Sequence, residues 1–209
     1  MRLCFDHRSP ARTRRLVLVL ALGSIGIAGA LVGGAIAGPA AAATPRAASL
    51  APAAESSRIA SRLALGDSVM LGAASRLRHR GYSVNAVESR QVYDGIDVLR
   101  RLHTQGRLPG LLVVGLGTNG TFSRSECRQI HTVAGPARHV YLVTVRAPRS
   151  WTPGNNRVIH RCAAKYANTS LIDWARASRP HPGWFYSDGI HLTPAGARGY
   201  TRVVNRSVG

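Results

Sequence analysis

Five short apolar runs, each followed by a stretch of helical character, most constrain what this chain can fold into. The runs are Ser61–Leu65, Tyr82–Val87, Leu111–Leu116, His139–Val145 and Thr169–Ile172. Between them lie Ser68–Arg80, Val92–Gln105, Ser123–Val133 and Asn155–Tyr166, with a last amphipathic stretch from Pro194 to about Val204. Thr193 suits the cap of that last helix and Pro194 its first turn. Leu111-Leu112-Val113-Val114 is apolar without interruption, the pattern of a strand buried on both faces. Strands that alternate with helices build a parallel sheet covered on both sides. The expected fold is therefore a three-layer α/β/α sandwich around five parallel strands.

The first part of the chain follows a different logic. Arg2, Arg8, Arg12, Arg14 and Arg15 stand against a single acid, Asp6, and then no charge occurs from Leu16 to Gly38. Ala40-Ala41-Ala42-Ala43 offers small-residue cleavage sites. A basic start, an apolar stretch and a small-residue exit make an export signal, and Thr13-Arg14-Arg15 hints at the twin-arginine route. The uncharged stretch is also long enough to span a bilayer, so residues 1–43 read either as a cleaved leader or as a retained anchor. Either way the Arg excess keeps the start inside and puts the remainder outside. Residues 44–57, rich in Ala, Pro and Ser, read as a flexible tether. About 150 residues remain from 58 to 209, enough to bury close to 70% of their unfolded surface without help from a metal.

Charge narrows the class of partner. Of 28 Lys and Arg and 9 Asp and Glu, 5 and 1 respectively precede Thr44, which leaves 23 against 8 in the exported part. A field of that sign favours anionic partners such as wall polymers or acidic headgroups. The domain has no compact Lys/Arg run and no basic patch interleaved with aromatics, so nucleic acid is not expected and a scattered, solvated surface remains open. Cys4 falls in the lead-in. Cys127 and Cys162 stand alone in an oxidising compartment and are expected to form a disulfide. Neither is read as a metal ligand, and His79, His103, His131, His139, His160 and His181 are assigned surface or capping roles. No metal or cofactor is expected.

Ligands of open α/β sheets bind outside the carboxyl ends of the strands, so the residues that follow the apolar runs carry the functional argument. Ser68, in Gly66-Asp67-Ser68, opens a helix where backbone N–H groups can stabilise negative charge, although a helix-capping serine would look the same. Asp188 and His191 lie three residues apart, a spacing that lets a carboxylate orient an imidazole base, although a plain turn would also use them. Gly117-Thr118-Asn119-Gly120 places an amide at a strand end, where it can donate to an oxyanion or simply form a turn. Each signal is ambiguous alone; their order in an α/β chain is not.

In that order the domain resembles the SGNH (GDSL-type) hydrolase family, whose fold is flavodoxin-like, over nearly all of residues 61–207. Gly66, Asp67 and Ser68 match the first block with its catalytic serine, Asn119 the third block, and Asp188 with His191 the last. Within the family the chain is most similar to the extracytoplasmic domains of peptidoglycan O-acetyltransferases, through Leu65–Met70, Leu116–Gly120, Trp151 with Asn155-Asn156, Ile172-Asp173-Trp174 and Asp188–Thr193. The resemblance implies a triad of Ser68, His191 and Asp188, with an oxyanion hole from Ser68, Ser89 and Asn119. The family's second block usually offers a glycine; here it reads Glu88-Ser89-Arg90-Gln91.

Arg90 and Trp151 are the candidate substrate-binding residues, the arginine for an anionic group and the tryptophan as a platform. Trp174 and Trp184 are expected to pack in the core. The implied activity is that of a serine esterase or acyl-transfer enzyme acting on O-acetyl esters of carbohydrate or cell-wall polymer. A transferase would need a separate membrane acyltransferase as partner, and the only membrane contact expected of this chain itself is an N-terminal anchor. A lipid esterase and a non-catalytic wall-binding module remain the alternatives. Since a base must be neutral to accept a proton, activity is expected to fall below about pH 6.

Overall fold

The computed structural model describes residues 61–209; the leader or anchor over 1–43, the tether over 44–57 and Cys4 lie outside the described residues. Strands β1 (Arg62–Gly66), β2 (Tyr82–Ala86), β3 (Leu111–Gly115), β4 (His139–Val143) and β5 (Thr169–Ile172) follow the five apolar runs. They form one parallel sheet in the order β2-β1-β3-β4-β5. The helices are α1 (Ser68–Gly72), α2 (Ala74–His79), α3 (Val92–Thr104), α4 (Arg124–Ala134), α5 (Thr152–Lys165), α6 (Trp174–Ser178) and α7 (Pro194–Val208).

Successive strand residues point to opposite faces, and each face has its own core. Leu63, Leu65, Leu112, Val114, Val140 and Leu142 pack against Ile96 and Leu99 of α3, Ile130 of α4 and Ile159 of α5. Ala64, Val113 and Val143 face the other way, onto Met70, Leu77, Trp174, Tyr200 and Val204. Both faces are covered, which is why the adjacent inner strands β1 and β3 carry no polar alternation, whereas the edge strand β2 alternates as Tyr82-Ser83-Val84-Asn85-Ala86. Burying one such Leu, Ile or Val stabilises the fold by roughly 1.5–3 kcal/mol.

Local structure departs from expectation in three places. The single helix expected over Ser68–Arg80 is two, because Ala73 leaves the helical conformation (φ −102°, ψ 1°) and turns fully inward to join the core. Helix α5 starts at Thr152, with Pro153 in its first turn where a missing N–H costs nothing. Asp173 caps the short α6 by accepting from the Arg176 N–H at 3.2 Å, and a 3-10 turn follows at Pro182–Trp184. Gly196 of α7 is required there, since a Cβ would lie 1.9 Å from the Trp184 carbonyl oxygen.

Strand β1 is the switch point of the sheet. The chain goes from it to β2 on one side and later to β3 on the other, which opens a crevice at the carboxyl ends of β1 and β3. Asp67 sits in that crevice and is 1% exposed. Its Oδ1 accepts from the Val69 N–H at 3.1 Å, capping α1, and its Oδ2 accepts from the Thr118 N–H at 3.3 Å, beyond β3. Burial pushes its carboxyl above the ordinary value of 3.8.

On the opposite helical layer Cys127 of α4 and Cys162 of α5 form the expected disulfide, with Cα atoms 6.1 Å apart. His131 is buried beside it rather than at the surface. Its ring stacks on Tyr166 with centroids 3.8 Å apart and pairs with the Thr169 hydroxyl at 3.2 Å. It stands one turn after Cys127, a ligand spacing passed over in the sequence, and one ring nitrogen lies within 4.8 Å of both sulfurs. The sulfurs are joined to each other here. Among the described residues no helix is long and apolar enough to cross a membrane.

Two stability measurements follow. Closing a loop of 35 residues stabilises the fold by about 4 kcal/mol in the chain-entropy treatment, so Cys127→Ser/Cys162→Ser should lower the melting temperature by roughly 8–16 °C; no change would mean that the bridge constrains nothing. For Asp67 the folded state holds the proton more tightly than the unfolded chain does. Its contribution to stability is therefore greatest at acid pH and declines as pH rises past 3.8 toward the raised value. Asp67→Asn should gain in melting temperature relative to wild type between pH 4 and pH 8; a relative loss over that interval would reverse the assignment.

Candidate active site

Ser68 is the first residue of α1, lifted to the sheet's carboxyl edge by the sharp exit from β1 that Asp67 caps. Asp188 and His191 lie in the loop that leads into α7. That loop is closed by an antiparallel bridge between Phe185 and Leu192, with the Tyr186 N–H donating to the His191 carbonyl at 2.9 Å and the Thr193 N–H to that of Trp184 at 3.0 Å. Gly189, at φ 67°, supplies the left-handed turn between the acid and the imidazole.

The loop brings the imidazole between the other two groups. His191 Nδ1 lies 2.6 Å from Asp188 Oδ2, and His191 Nε2 lies 3.2 Å from Ser68 Oγ. The second carboxylate oxygen, Oδ1, accepts from the backbone N–H groups of Ile190 at 2.8 Å and His191 at 3.0 Å. The His191 ring and these two N–H groups hold the Asp188 carboxyl down at about 2, so it is ionised at any ordinary pH. A proton on Nδ1 is donated to Asp188, which leaves Nε2 as an acceptor facing the hydroxyl. This arrangement can take a proton from a serine attacking a carbonyl. The site lies open: the side chains of His191 and Asp188 are 51% and 42% exposed.

Two loops flank Ser68, and neutral side chains tie them to each other. Ser89, where the resembled family has glycine, adopts the left-handed conformation at φ 56°, so the backbone keeps a glycine-like shape at a cost of order 1 kcal/mol. The Asn119 amide donates a long bond, 3.4 Å, to the Arg90 carbonyl, and Gln91 Nε2 donates to the Asn119 carbonyl at 2.7 Å, stitching the second loop to the third. An amide nitrogen carries two N–H groups, so one donor of Asn119 is left for an oxyanion.

Asn155, 2% exposed, locks the third loop. It accepts from the Phe122 N–H at 2.7 Å and donates to the carbonyls of Gly117 at 2.9 Å and Gly120 at 2.7 Å. Asn156 pairs with both the N–H and the carbonyl of Val145 at 2.8 Å, fixing the exit from β4. Both asparagines appear in the sequence only as part of the family resemblance. Nothing in their spacing announces that helix α5 aims one amide at each loop.

The two substrate-binding candidates are placed differently. Arg90 is 7% exposed, and its guanidinium spans inward, donating to the carbonyls of Gly66 at 3.0 Å and Asn85 at 2.6 Å and to Asn85 Oδ1 at 2.7 Å. Trp151 is half-buried, and its indole N–H reaches the Thr118 carbonyl at 3.3 Å, so it leans on the loop that carries Asn119. Trp174 and Trp184 stack with ring centroids 5.7 Å apart and belong to the core, as expected.

No family model matches the chain. YrhL of Bacillus subtilis, provisionally named a peptidoglycan O-acetyltransferase, is 33% identical over 144 residues, which is 68% of this chain and 23% of that protein. The O-acetyltransferase OatA of Staphylococcus aureus is 32% identical over 151 residues, 71% of this chain and 25% of that protein. The chain thus spans about a quarter of the length of these curated relatives. Among solved structures, the C-terminal catalytic domain of Streptococcus pneumoniae peptidoglycan O-acetyltransferase A superposes with a TM-score of 0.60 at 21% identity, covering 70% of this chain and 91% of that one, and so shares the fold. The chain has the fold of the SGNH hydrolases, and the relatives that its sequence matches include O-acetyltransferases.

Proposed function

We propose that the protein is an extracytoplasmic serine esterase or acyl-transfer enzyme acting on O-acetyl esters of a carbohydrate or cell-wall polymer. The observation that carries this reading is His191, within hydrogen-bonding reach of Ser68 on one ring nitrogen and of Asp188 on the other. Peptidoglycan appears in the names of relatives and of a structural neighbour, which supports a wall polymer as substrate. The openness of the site supports it too, since a polymer must lie across the reacting hydroxyl. The Arg-rich start and uncharged stretch before residue 44 support export.

In the first half-reaction Nε2 of His191 takes the Ser68 proton while Oγ bonds to the ester carbonyl carbon. The carbonyl oxygen becomes an oxyanion held by the N–H groups of Ser68 and Ser89 and the Asn119 amide. Collapse breaks the bond to the sugar oxygen, which leaves with the proton from His191, and Ser68 is acylated. In the second half a water or another sugar hydroxyl gives its proton to His191 and attacks the acyl carbon, and collapse breaks the bond to Ser68 Oγ, which takes that proton from His191 as acetate or the acetylated sugar departs. Asp188, ionised throughout, holds the imidazole in the tautomer that both halves require. Arg90 acts behind this chemistry, pinning the second loop to β1 and β2.

The full chain acting on a chromogenic acetyl ester tests the assignment. Ser68→Ala should fall to background, and Asn119→Ala should lose about 10²–10³ in kcat, the cost of one oxyanion donor. Equal rates for wild type and Ser68→Ala would instead indicate a wall-binding module. Release of acetate from acetylated peptidoglycan, against acetyl transfer to unmodified glycan, then separates esterase from transferase.

A further inference from the structure

Part of the domain's positive charge gathers in one groove. Of the seven Asp and Glu among the described residues, none lies on α2 or α7. These helices wall a groove of about 580 Å³ lined by Arg76, His79, Arg80, Arg198, Arg202 and Arg206. Arg198, Arg202 and Arg206 recur every four residues, so they stack on one face of α7 at intervals of about 6 Å along its axis. Arg76 and Arg80 do the same on the facing wall. Like charges at this spacing weaken a helix, and among the described residues no acid pairs with them. Among the described residues none of these five guanidiniums forms an ion pair or a hydrogen bond, whereas Arg90, Arg100, Arg138 and Arg146 are all engaged within the protein.

We propose that the α2–α7 groove is a docking site for a linear, phosphodiester-linked polyanion. A guanidinium donates two parallel hydrogen bonds to a pair of oxygens. The non-bridging oxygens of a phosphodiester diverge tetrahedrally, so one phosphate can accept from guanidiniums of both walls in different planes, while a carboxylate accepts best within its own plane. A repeating row of arginines suits a repeating row of phosphates. The recess suits a strand, whereas a flat lipid surface would meet its rims. Helix α7 begins three residues after His191, so a strand held along it lies beside the element that carries the Asp188–His191 loop. The proposal stands independently of the chemistry assigned to Ser68.

The test is binding of the full chain to inorganic polyphosphate, a linear chain whose anhydride-linked phosphates present the same pairs of non-bridging oxygens as a phosphodiester polymer, with two triple variants that remove equal charge. Arg198→Gln/Arg202→Gln/Arg206→Gln empties one wall; Arg107→Gln/Arg157→Gln/Arg179→Gln removes three exposed arginines elsewhere. The groove variant should bind polyphosphate at least ~10-fold more weakly, with the slope of log affinity against log salt smaller by about 2, while the second variant changes less than ~2-fold. Both should hydrolyse the acetyl ester like wild type. Equal losses in the two variants would overturn the proposal in favour of a general field. Equal affinity for polyglutamate of matched charge would overturn the phosphate assignment. Tighter binding to phosphatidylglycerol vesicles, with the groove effect seen only there, would replace the polymer by a membrane. If the groove triple fails to fold, Arg202→Glu alone carries the same comparison.

Discussion

The buried Asp67 carboxylate joins fold and site. One oxygen caps the helix whose first residue is Ser68, and the other accepts from the Thr118 N–H on the loop that carries Asn119. The two strands it links, β1 and β3, are adjacent in the sheet because the chain reverses its winding at β1. The crevice at that reversal is therefore a consequence of topology, and Asp67 fixes its width. Taking a carboxylate out of water is costly, which the raised carboxyl of Asp67 reports. The side chain beside the nucleophile candidate thus sacrifices stability for placement.

Around that tie the site is braced with neutral amides. Asn155, Asn156 and Gln91 hold three loops through backbone groups, leaving the charged Asp188 carboxylate to its own turn through Oδ1 and to the imidazole through Oδ2. Arg90 is the exception: its cation is sunk against the ends of β1 and β2, and burial lowers its pKa from the usual guanidinium range. The Ser89 backbone shows the same priority. A left-handed turn is kept where glycine would adopt it freely, so the loop shape is maintained by its surroundings.

Much of the architecture was legible because buried parallel strands write continuous apolar runs, and all five runs became strands within two residues of their expected ends. The order of Ser68, Asn119, Asp188 and His191 carried the candidate site for a related reason: each follows an element whose end is marked by glycine, turn or cap. The break at Ala73 was marked in the sequence only by Gly72 beside it, a residue that a helix interior tolerates at a cost of about 1 kcal/mol, while helical spacing runs on through Ser68–Arg80. His131 hid its place because a lone histidine on an amphipathic helix gives no sign of its neighbour on another helix, here Tyr166 beyond α5. Arg90 read as a substrate contact for a similar reason, since it reaches Asn85 and Gly66 only once the segment after β2 turns back over the ends of β2 and β1. The arginines of α7 were visible as charge, but their assembly into a groove required α2 beside them.

The central claim is that the His191 imidazole activates the Ser68 hydroxyl. Phenylmethylsulfonyl fluoride modifies serines whose proton is drawn away by a base, so mass spectrometry of the treated chain reads that claim directly. The account predicts one adduct per chain, carried by Ser68, with labelling slowed at least ~10²-fold in His191→Ala. Labelling at the same rate in that variant, or adducts confined to other residues, would contradict it.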